Sequence, residues 1–283
     1  IGVTTGANVT RETLATAWQW PVAIAALIAS VAIITLVTRA VLRRVYRYDA
    51  ETALLASSPG HLSYILGLSL DTKSDISKLS IIQSIRVLFL TVAVPFIVVG
   101  LNGDVVHTLT PNTPAITMTP ATLIATLAVS VTCGFLFKRL RIPAAFLLAG
   151  MAMSSFGHLS DFGPGLVPDW LSLSAFLVMG TLIGTRFGDV SYAKLKDALS
   201  ASASVTFIAI TVSAFAALLV SLVIDVPLTH ILIAFAPGGL EAMAAMAILL
   251  DANPAFVAAH HVLRIVFLTF FVPALLARLK TLA

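Results

Sequence analysis

Charge is what this sequence has least of. Lysine, arginine, aspartate and glutamate together make up 11% of 283 residues, while 59% are hydrophobic and the mean hydropathy is +1.02. Soluble domains carry roughly twice that charge and cannot bury so much apolar side chain, so a separate soluble domain is excluded and the chain reads as one membrane domain. Cysteine is nearly absent as well. Cys133 stands alone in an apolar run, which excludes an intrachain disulfide and a thiolate metal site. There is no Gly-x-x-x-x-Gly-Lys-Ser/Thr stretch to cradle a nucleotide, so ATP-driven pumping by this chain is unsupported. No Ser-His-Asp or Cys-His spacing suggests a nucleophile either, and the chain is not read as an enzyme: no catalytic residue and no cofactor is assigned. The opening IGVTTGANVTRETL lacks a basic stretch followed by an apolar core and a cleavage site, so it is expected to be an interior start rather than a signal peptide. The net charge of +4 would suit a nucleic-acid binder. The bases, however, sit in short clusters between apolar segments, where they report orientation, and no nucleic-acid partner is expected.

What is present is a repeat. At one offset of 178 residues, RVLFLTVAVP (Arg86 to Pro95) lies over RIVFLTFFVP (Arg264 to Pro273), and SPGHL (Ser58 to Leu62) lies over APGGL (Ala236 to Leu240). Gly2 and Gly6 fall on Gly180 and Gly184. Ungapped matching of Pro, Gly and Arg over nearly a hundred residues implies duplication. The first repeat is placed at residues 1–120, incomplete at its N-terminus because Lys138 to Ser155 would have partners before Ile1, and the second at 121–283. Apolar spans are expected near 17–40, 79–101, 121–138, 143–158, 170–187, 203–224 and 255–278. Two further apolar stretches, near 52–70 and 228–250, carry a central Pro-Gly that interrupts a helix, and are read as broken or re-entrant.

Lysine and arginine gather on the cytoplasmic side of membrane proteins. Arg39, Arg43, Arg44 and Arg47 therefore put the end of the first span inside, and Lys73 and Lys78 put the start of the next inside as well. The loop from Asn102 to Pro120, with Asp104 and no lysine or arginine, belongs outside. Lys138, Arg139 and Arg141 are inside, Asp161 and Asp169 outside, Lys194 and Lys196 inside, Asp225 and Asp251 outside, and Arg278 with Lys280 leaves the C-terminus cytoplasmic. The first Pro-Gly segment thus enters from inside and the second from outside. The fold class expected is an all-α polytopic membrane protein of two inverted-topology repeats with interrupted Pro-Gly helices.

Irregular backbone at membrane depth is tolerated only where protein packs on it or where it lines a wet cavity. The two interruptions therefore suggest one central site: Ser57, Ser58, Pro59, Gly60 and His61 from the first, and Pro237, Gly238, Gly239 and Glu241 from the second. A glycine-mediated close crossing that binds nothing is the alternative. Arg86 and Arg264 hold equivalent positions inside apolar runs, so they either contact substrate or anchor the fold. Glu241 either couples a proton or cation or neutralises Arg264. Gln83 and His261, also equivalent, precede each arginine by three residues and so share its helix face, as polar lining or as helix-to-helix hydrogen bonds. Adjacent His260 and His261 point about 100° apart and make a poor metal pair, so no metal site is assigned. Trp18, Trp20 and Trp170 near span ends are read as an interfacial belt.

The run APGGLEAMAAMAILLDANPAFVAAHHVLRIVFLTFFVPALL (Ala236 to Leu276) resembles the AbrB membrane-protein family, as do ALLASSPGHLSYILGLSLD, IIQSIRVLFLTVAVP and KRLRIPAAFLLAGMAMSS. The resemblance covers nearly the whole chain and implies a duplicated domain in the bacterial inner membrane. Ser58, His61 and Ser63 replace Ala236, Gly239 and Glu241 in the first half, so any role of that glycine or acid is asymmetric. Family members are often labelled ammonia monooxygenases, but oxidation at copper or iron needs convergent ligands, and the histidines at 61, 107, 158, 230, 260 and 261 show no such grouping. One member is linked to regulation of gene expression; the name is shared with an unrelated soluble DNA-binding protein. The expected function is a secondary transporter of a small solute by alternating access, its substrate an organic anion, in contact with membrane lipid and with homo-oligomerisation open. The alternatives are a membrane-embedded regulator acting through a partner and a membrane monooxygenase.

The orientation is testable with single cysteines introduced at Lys73 and Asp251, labelled by a membrane-impermeant maleimide in intact cells. Asp251→Cys is expected to react from outside and Lys73→Cys only after the membrane is opened. Reaction of both from one face would overturn the inverted arrangement.

Overall fold

The computed structural model describes residues 2–7, 18, 20–60, 62–69, 72–102, 117–140, 142, 145–160, 165–185 and 192–282. The loop residues 103–116, Arg141 and Asp161, all used above for orientation, lie outside them. The elements in chain order are α1 (Gly2–Ala7), α2 (Trp20–Arg44), α3 (Ala50–Ser57), α4 (Leu62–Ser69), α5 (Ile76–Asn102), α6 (Pro120–Arg139), α7 (Ala145–Leu159), α8 (Asp169–Thr185), α9 (Tyr192–Ser221), α10 (Leu228–Phe235), α11 (Leu240–Leu249) and α12 (Pro254–Leu282). Among the described residues, five helical stretches are long and apolar enough to cross a membrane: Trp20–Arg44, Ile76–Val98, Pro120–Arg139, Ala198–Ser221 and Pro254–Leu279. The chain is a multi-pass, all-helical membrane protein. α7 and α8, where two more spans were expected, have 15 and 17 described residues.

Local chemistry sets the helix starts. The Asp49 carboxylate accepts the Thr52 amide at 2.8 Å to begin α3, and that of Asp75 accepts the Lys78 amide at 3.1 Å to begin α5. Asn253 Oδ1 accepts the Phe256 amide at 3.0 Å to begin α12, with Pro254 at the first helical position, where its missing N–H is not needed. α9 starts at Tyr192, well before the expected span at 203, because YAKLKDALSAS is rich in helix formers yet not apolar. A hydropathy reading sees only the apolar part of such a helix.

α2 shows how a membrane helix divides its faces. Ala23, Leu27, Ser30, Val31, Ile34, Thr35, Thr38 and Leu42 are buried at three- and four-residue spacing, packed on α9, α3 and α12. Its polar members are satisfied within the helix: Ser30 Oγ donates to Leu27 O at 2.7 Å and Thr35 Oγ1 to Val31 O at 2.8 Å. Trp20, expected at the interface, instead sets its ring edge-on to Phe256 of α12, 5.8 Å between centroids. The largest core joins α2, α3, α5, α9, α10 and α12 through Leu27, Leu54, Ile82, Ala201, Phe235 and Phe256. α3 and α10 are buried almost all round. At eight residues each, about 12 Å, neither can span a bilayer, so their ends lie at depth inside protein.

Beside this core, α1 crosses α7 at backbone contact distance through small residues. A Cβ on Gly6 would meet the carbonyl oxygen of Met151, one on Gly2 that of Leu147, and one on Gly150 would stand 3.1 Å from the Val3 nitrogen. Such crossings tolerate no side chain. Gly6→Leu is therefore expected to cost about 1–3 kcal/mol, read as a lowered thermal midpoint in detergent. Gly100→Ala, with nothing within 4 Å of the added atom, is the matched control and is expected to leave the midpoint unchanged.

Candidate functional site

Where a helix stops inside the protein, its last carbonyls have no intrahelical donor. α3 stops at Ser57 and α4 begins at Leu62; α10 stops at Phe235 and α11 begins at Leu240. In each gap the glycine amide folds back on the carbonyl two residues earlier, Gly60 to Ser58 and Gly238 to Ala236, both at 2.8 Å. That leaves acceptors on Leu55, Ser58, Ala236, Pro237 and Gly238. The buried polar side chains of α5 and α12 supply them.

Arg264 of α12 is a two-pronged donor: Nη1 gives to Ala236 O at 2.8 Å and Nη2 to Gly238 O at 2.5 Å. Gln83 of α5 does the same work on the first gap, its Nε2 giving to Ser58 O at 2.9 Å and to Leu55 O at 3.2 Å. Arg86, one turn further along α5, makes no hydrogen bond to the described residues of its own gap. Its Nη2 gives to Gln83 Oε1 at 2.6 Å and its Nε reaches across to Pro237 O at 3.1 Å. A continuous path of hydrogen bonds, Ser58 carbonyl to Gln83 to Arg86 to Pro237 carbonyl, thus joins the two gaps. Two guanidiniums complement the partial negative charge at the end of α10.

Arg86 and Arg264 are 1% and 2% exposed, and among the described residues neither has a carboxylate within 4.0 Å. Glu241, read as either a proton- or cation-coupling group or a neutralising partner, is half-buried on the first turn of α11 and makes no ion pair to Arg264. One nitrogen of each guanidinium, Nη1 of Arg86 and Nε of Arg264, is buried without a hydrogen-bond partner among the described residues. Ser57 and Ser58 are buried and turn back on their own helix, both hydroxyls giving to Leu54 O. Pro59, Pro237 and Gly238 are buried, and Gly60 and Gly239 are half-buried. A Cβ on Gly238 would lie 2.8 Å from Met243 Cε. His61 lies outside the described residues.

His261 is fully buried, with Nδ1 3.0 Å from Val257 O, and His260 is buried against Phe256, with Nδ1 2.7 Å from Phe256 O. A carbonyl oxygen only accepts, so Nδ1 carries the proton in both rings. Sequence reasoning missed three contributors. Ala236 and Leu55 take part through backbone oxygens, which no side-chain pattern reveals. The third is Ser213, the polar side chain lining an otherwise apolar cavity of about 60 Å³ that touches Ala236 and Pro237 between α5, α9 and α10. Ser213 Oγ has no hydrogen-bond partner among the described residues.

A helical membrane protein whose helix ends meet at depth on buried cationic side chains is the class defined so far. The chain belongs to the AbrB family: the family model described as "Transition state regulatory protein AbrB" matches residues 1–280. It is similar to the Bacillus subtilis (strain 168) protein named "Uncharacterized protein YhjN", 28% identical over 250 residues, covering 82% of this chain and 64% of that protein. It is also similar to the Escherichia coli (strain K12) protein named "Putative regulator AbrB", 24% identical over 288 residues, covering 100% of this chain and 81% of the relative. The chain therefore spans somewhat under two thirds of the length of the first of these. No solved structure matches.

Removing Arg264 strands the buried Gly238 carbonyl, worth about 1–3 kcal/mol when left unpaired, and takes from the Ala236 carbonyl one of its two donors. Removing Glu241 strands none that the structure records. Arg264→Ala is expected to lower unfolding free energy in mild detergent by about 2–4 kcal/mol, and Glu241→Ala by less than about 1 kcal/mol. Intrinsic-fluorescence melts of the two variants would reverse that order if Glu241 were the structural partner.

Proposed function

We propose that this chain is the membrane domain of a secondary transporter that works by alternating access on a small organic anion. The observation that carries the reading is the pair of guanidiniums, one from each half, meeting at the Ala236 to Gly238 carbonyls with, among the described residues, no carboxylate and one nitrogen each to spare. Buried positive charge without a protein counterion favours an anionic ligand. The apolar cavity beside Pro237 suits the aliphatic part of such a solute.

The two-repeat organisation supports it further. The offset of 178 residues that aligned the letters also aligns the elements: Ala50–Ser57 with Leu228–Phe235, the start of α4 with that of α11, and the caps Asp75 and Asn253. The repeats are taken as residues 1–120 and 121–283. Their inverted orientation and a cytoplasmic C-terminus are read from the distribution of lysine and arginine, and the inner-membrane location from the family resemblance. The chain is proposed to act without catalytic residues, cofactor or nucleic acid, with self-association open. The name of the Escherichia coli relative favours one rival, a membrane-embedded regulator acting through a partner.

Uptake of labelled small carboxylates into proteoliposomes separates the two. Wild type is expected to accumulate at least one of them, and Arg86→Lys and Arg264→Lys, which keep charge but lose the planar fork, are expected to lower that uptake at least tenfold. Flux insensitive to both substitutions would move the site elsewhere. Absence of flux together with a stable co-purifying protein would favour the regulator.

A further inference from the structure

The basic end of α2 carries features that orientation alone does not require. Leu36, Arg39, Ala40, Arg43 and Arg44 line a surface concavity of about 390 Å³. They recur at three- and four-residue spacing, so they form one helix face. Ala40 is small between two longer arginines, which is what hollows the surface. Arg43 and Arg44 are exposed, and Arg39 is half-buried with its Nε enclosed and without a hydrogen-bond partner. Among the described residues no carboxylate lies within 4.0 Å of any of the three. Three guanidiniums around one hollow repel one another unless an anion joins them.

The same face continues as an apolar stripe. Val22, Ala25, Ala29, Ile33, Leu36 and Ala40 are exposed in sequence, with Val22, Ile33 and Leu36 each about half exposed. From Val22 to Arg43 this face is about 30 Å long, matching the hydrocarbon thickness, so the stretch from Ile33 to Arg43 covers about one leaflet. Acyl chains fit the stripe and a phosphate fits its basic end.

We propose that the hollow formed by Arg39, Ala40, Arg43 and Arg44 is a binding site for the phosphodiester headgroup of an anionic phospholipid, whose acyl chain lies along Ile33 and Leu36. A free phosphate shares the headgroup chemistry but has nothing to place on the apolar stripe, and a zwitterionic lipid brings its own cation against three arginines.

Native mass spectrometry of the purified full chain, titrated with phosphatidylglycerol, phosphatidylcholine or glycerol 3-phosphate in detergent, tests this. Wild type is expected to retain phosphatidylglycerol in clear preference to the other two. Each arginine removed is expected to weaken retention about fivefold, so R39Q/R43Q falls about 25-fold. A40F, which fills the hollow and keeps every charge, is expected to lose retention too, and it stands in if the double variant fails to fold. K138Q/R139Q, at the basic end of α6, is expected to retain lipid as wild type does. Equal loss in K138Q/R139Q would overturn the site in favour of diffuse surface charge. Equal binding of glycerol 3-phosphate, or no preference over phosphatidylcholine, would overturn it as well. So would unchanged lipid retention in A40F together with loss of a dimer, which would give the face to a second copy of the chain.

Discussion

A backbone carbonyl at membrane depth that faces no donor is several kcal/mol out of balance, and there is no water to correct it. The interior of this protein follows from that constraint. Two short helices, α3 and α10, end inside the bundle, and the acceptor capacity that the glycine amides and serine hydroxyls of the gaps leave over is met by side chains long enough to reach it and polar enough to donate. Gln83, Arg86 and Arg264 are those side chains. Their burial would be costly anywhere else in so apolar a chain. Here the cation and the exposed helix end offset each other.

The elements were largely legible in the letters, because apolar runs of membrane length and capping residues such as Asp49, Asp75 and Asn253 are local signals. Pro-Gly at 59–60 and at 237–238 marked where α3 and α10 stop. Boundaries slipped where helix propensity and hydropathy part company, as in the polar first turns of α9. At the site, the sequence picked out Gln83, Arg86 and Arg264 by residue type and position, while the partner of each is visible only in the structure. Arg86 and Arg264 hold equivalent positions, but Gln83, whose counterpart is His261, takes up the Ser58 carbonyl, and Arg86 crosses to Pro237. A one-residue difference in donor capacity rewires the network, and nothing in a linear pattern encodes which carbonyl a long side chain will choose. Of the roles open to Glu241, an ion pair with Arg264 is not the one the structure records, since backbone oxygens take the hydrogen bonds of that guanidinium.

The two ends of the polar machinery differ in kind. At the centre, cations are buried, few and held by backbone oxygens in fixed geometry, so what they recognise is set by their spare nitrogens and the apolar space next to them. At the basic end of α2, cations are more numerous, mostly exposed and free of backbone duties. One helix face carries lipid-facing alanine, valine, isoleucine and leucine up to those arginines, while the opposite face, with Thr35 and Thr38 turned back on their own carbonyls, closes the core. The same 25 residues thereby fix the bundle inward and meet the bilayer outward.

The hydrogen bonds at the two gaps also impose an order of assembly. Gln83 lies 28 and 25 residues after the carbonyls of Leu55 and Ser58, Arg264 lies 28 and 26 after those of Ala236 and Gly238, and Arg86 and Pro237 are 151 apart. In each half the donor is synthesised after the acceptor it serves, so a ribosome delivers the broken helix first and its remedy a helix later. The first gap can close while the second half is still being made. The second must wait for α12, by which time Arg86 has long been in place. Completion of the polar centre thus follows synthesis of α12, and a chain stopped before α12 would hold exposed carbonyls at depth, the kind of defect by which quality control recognises an unfinished membrane protein.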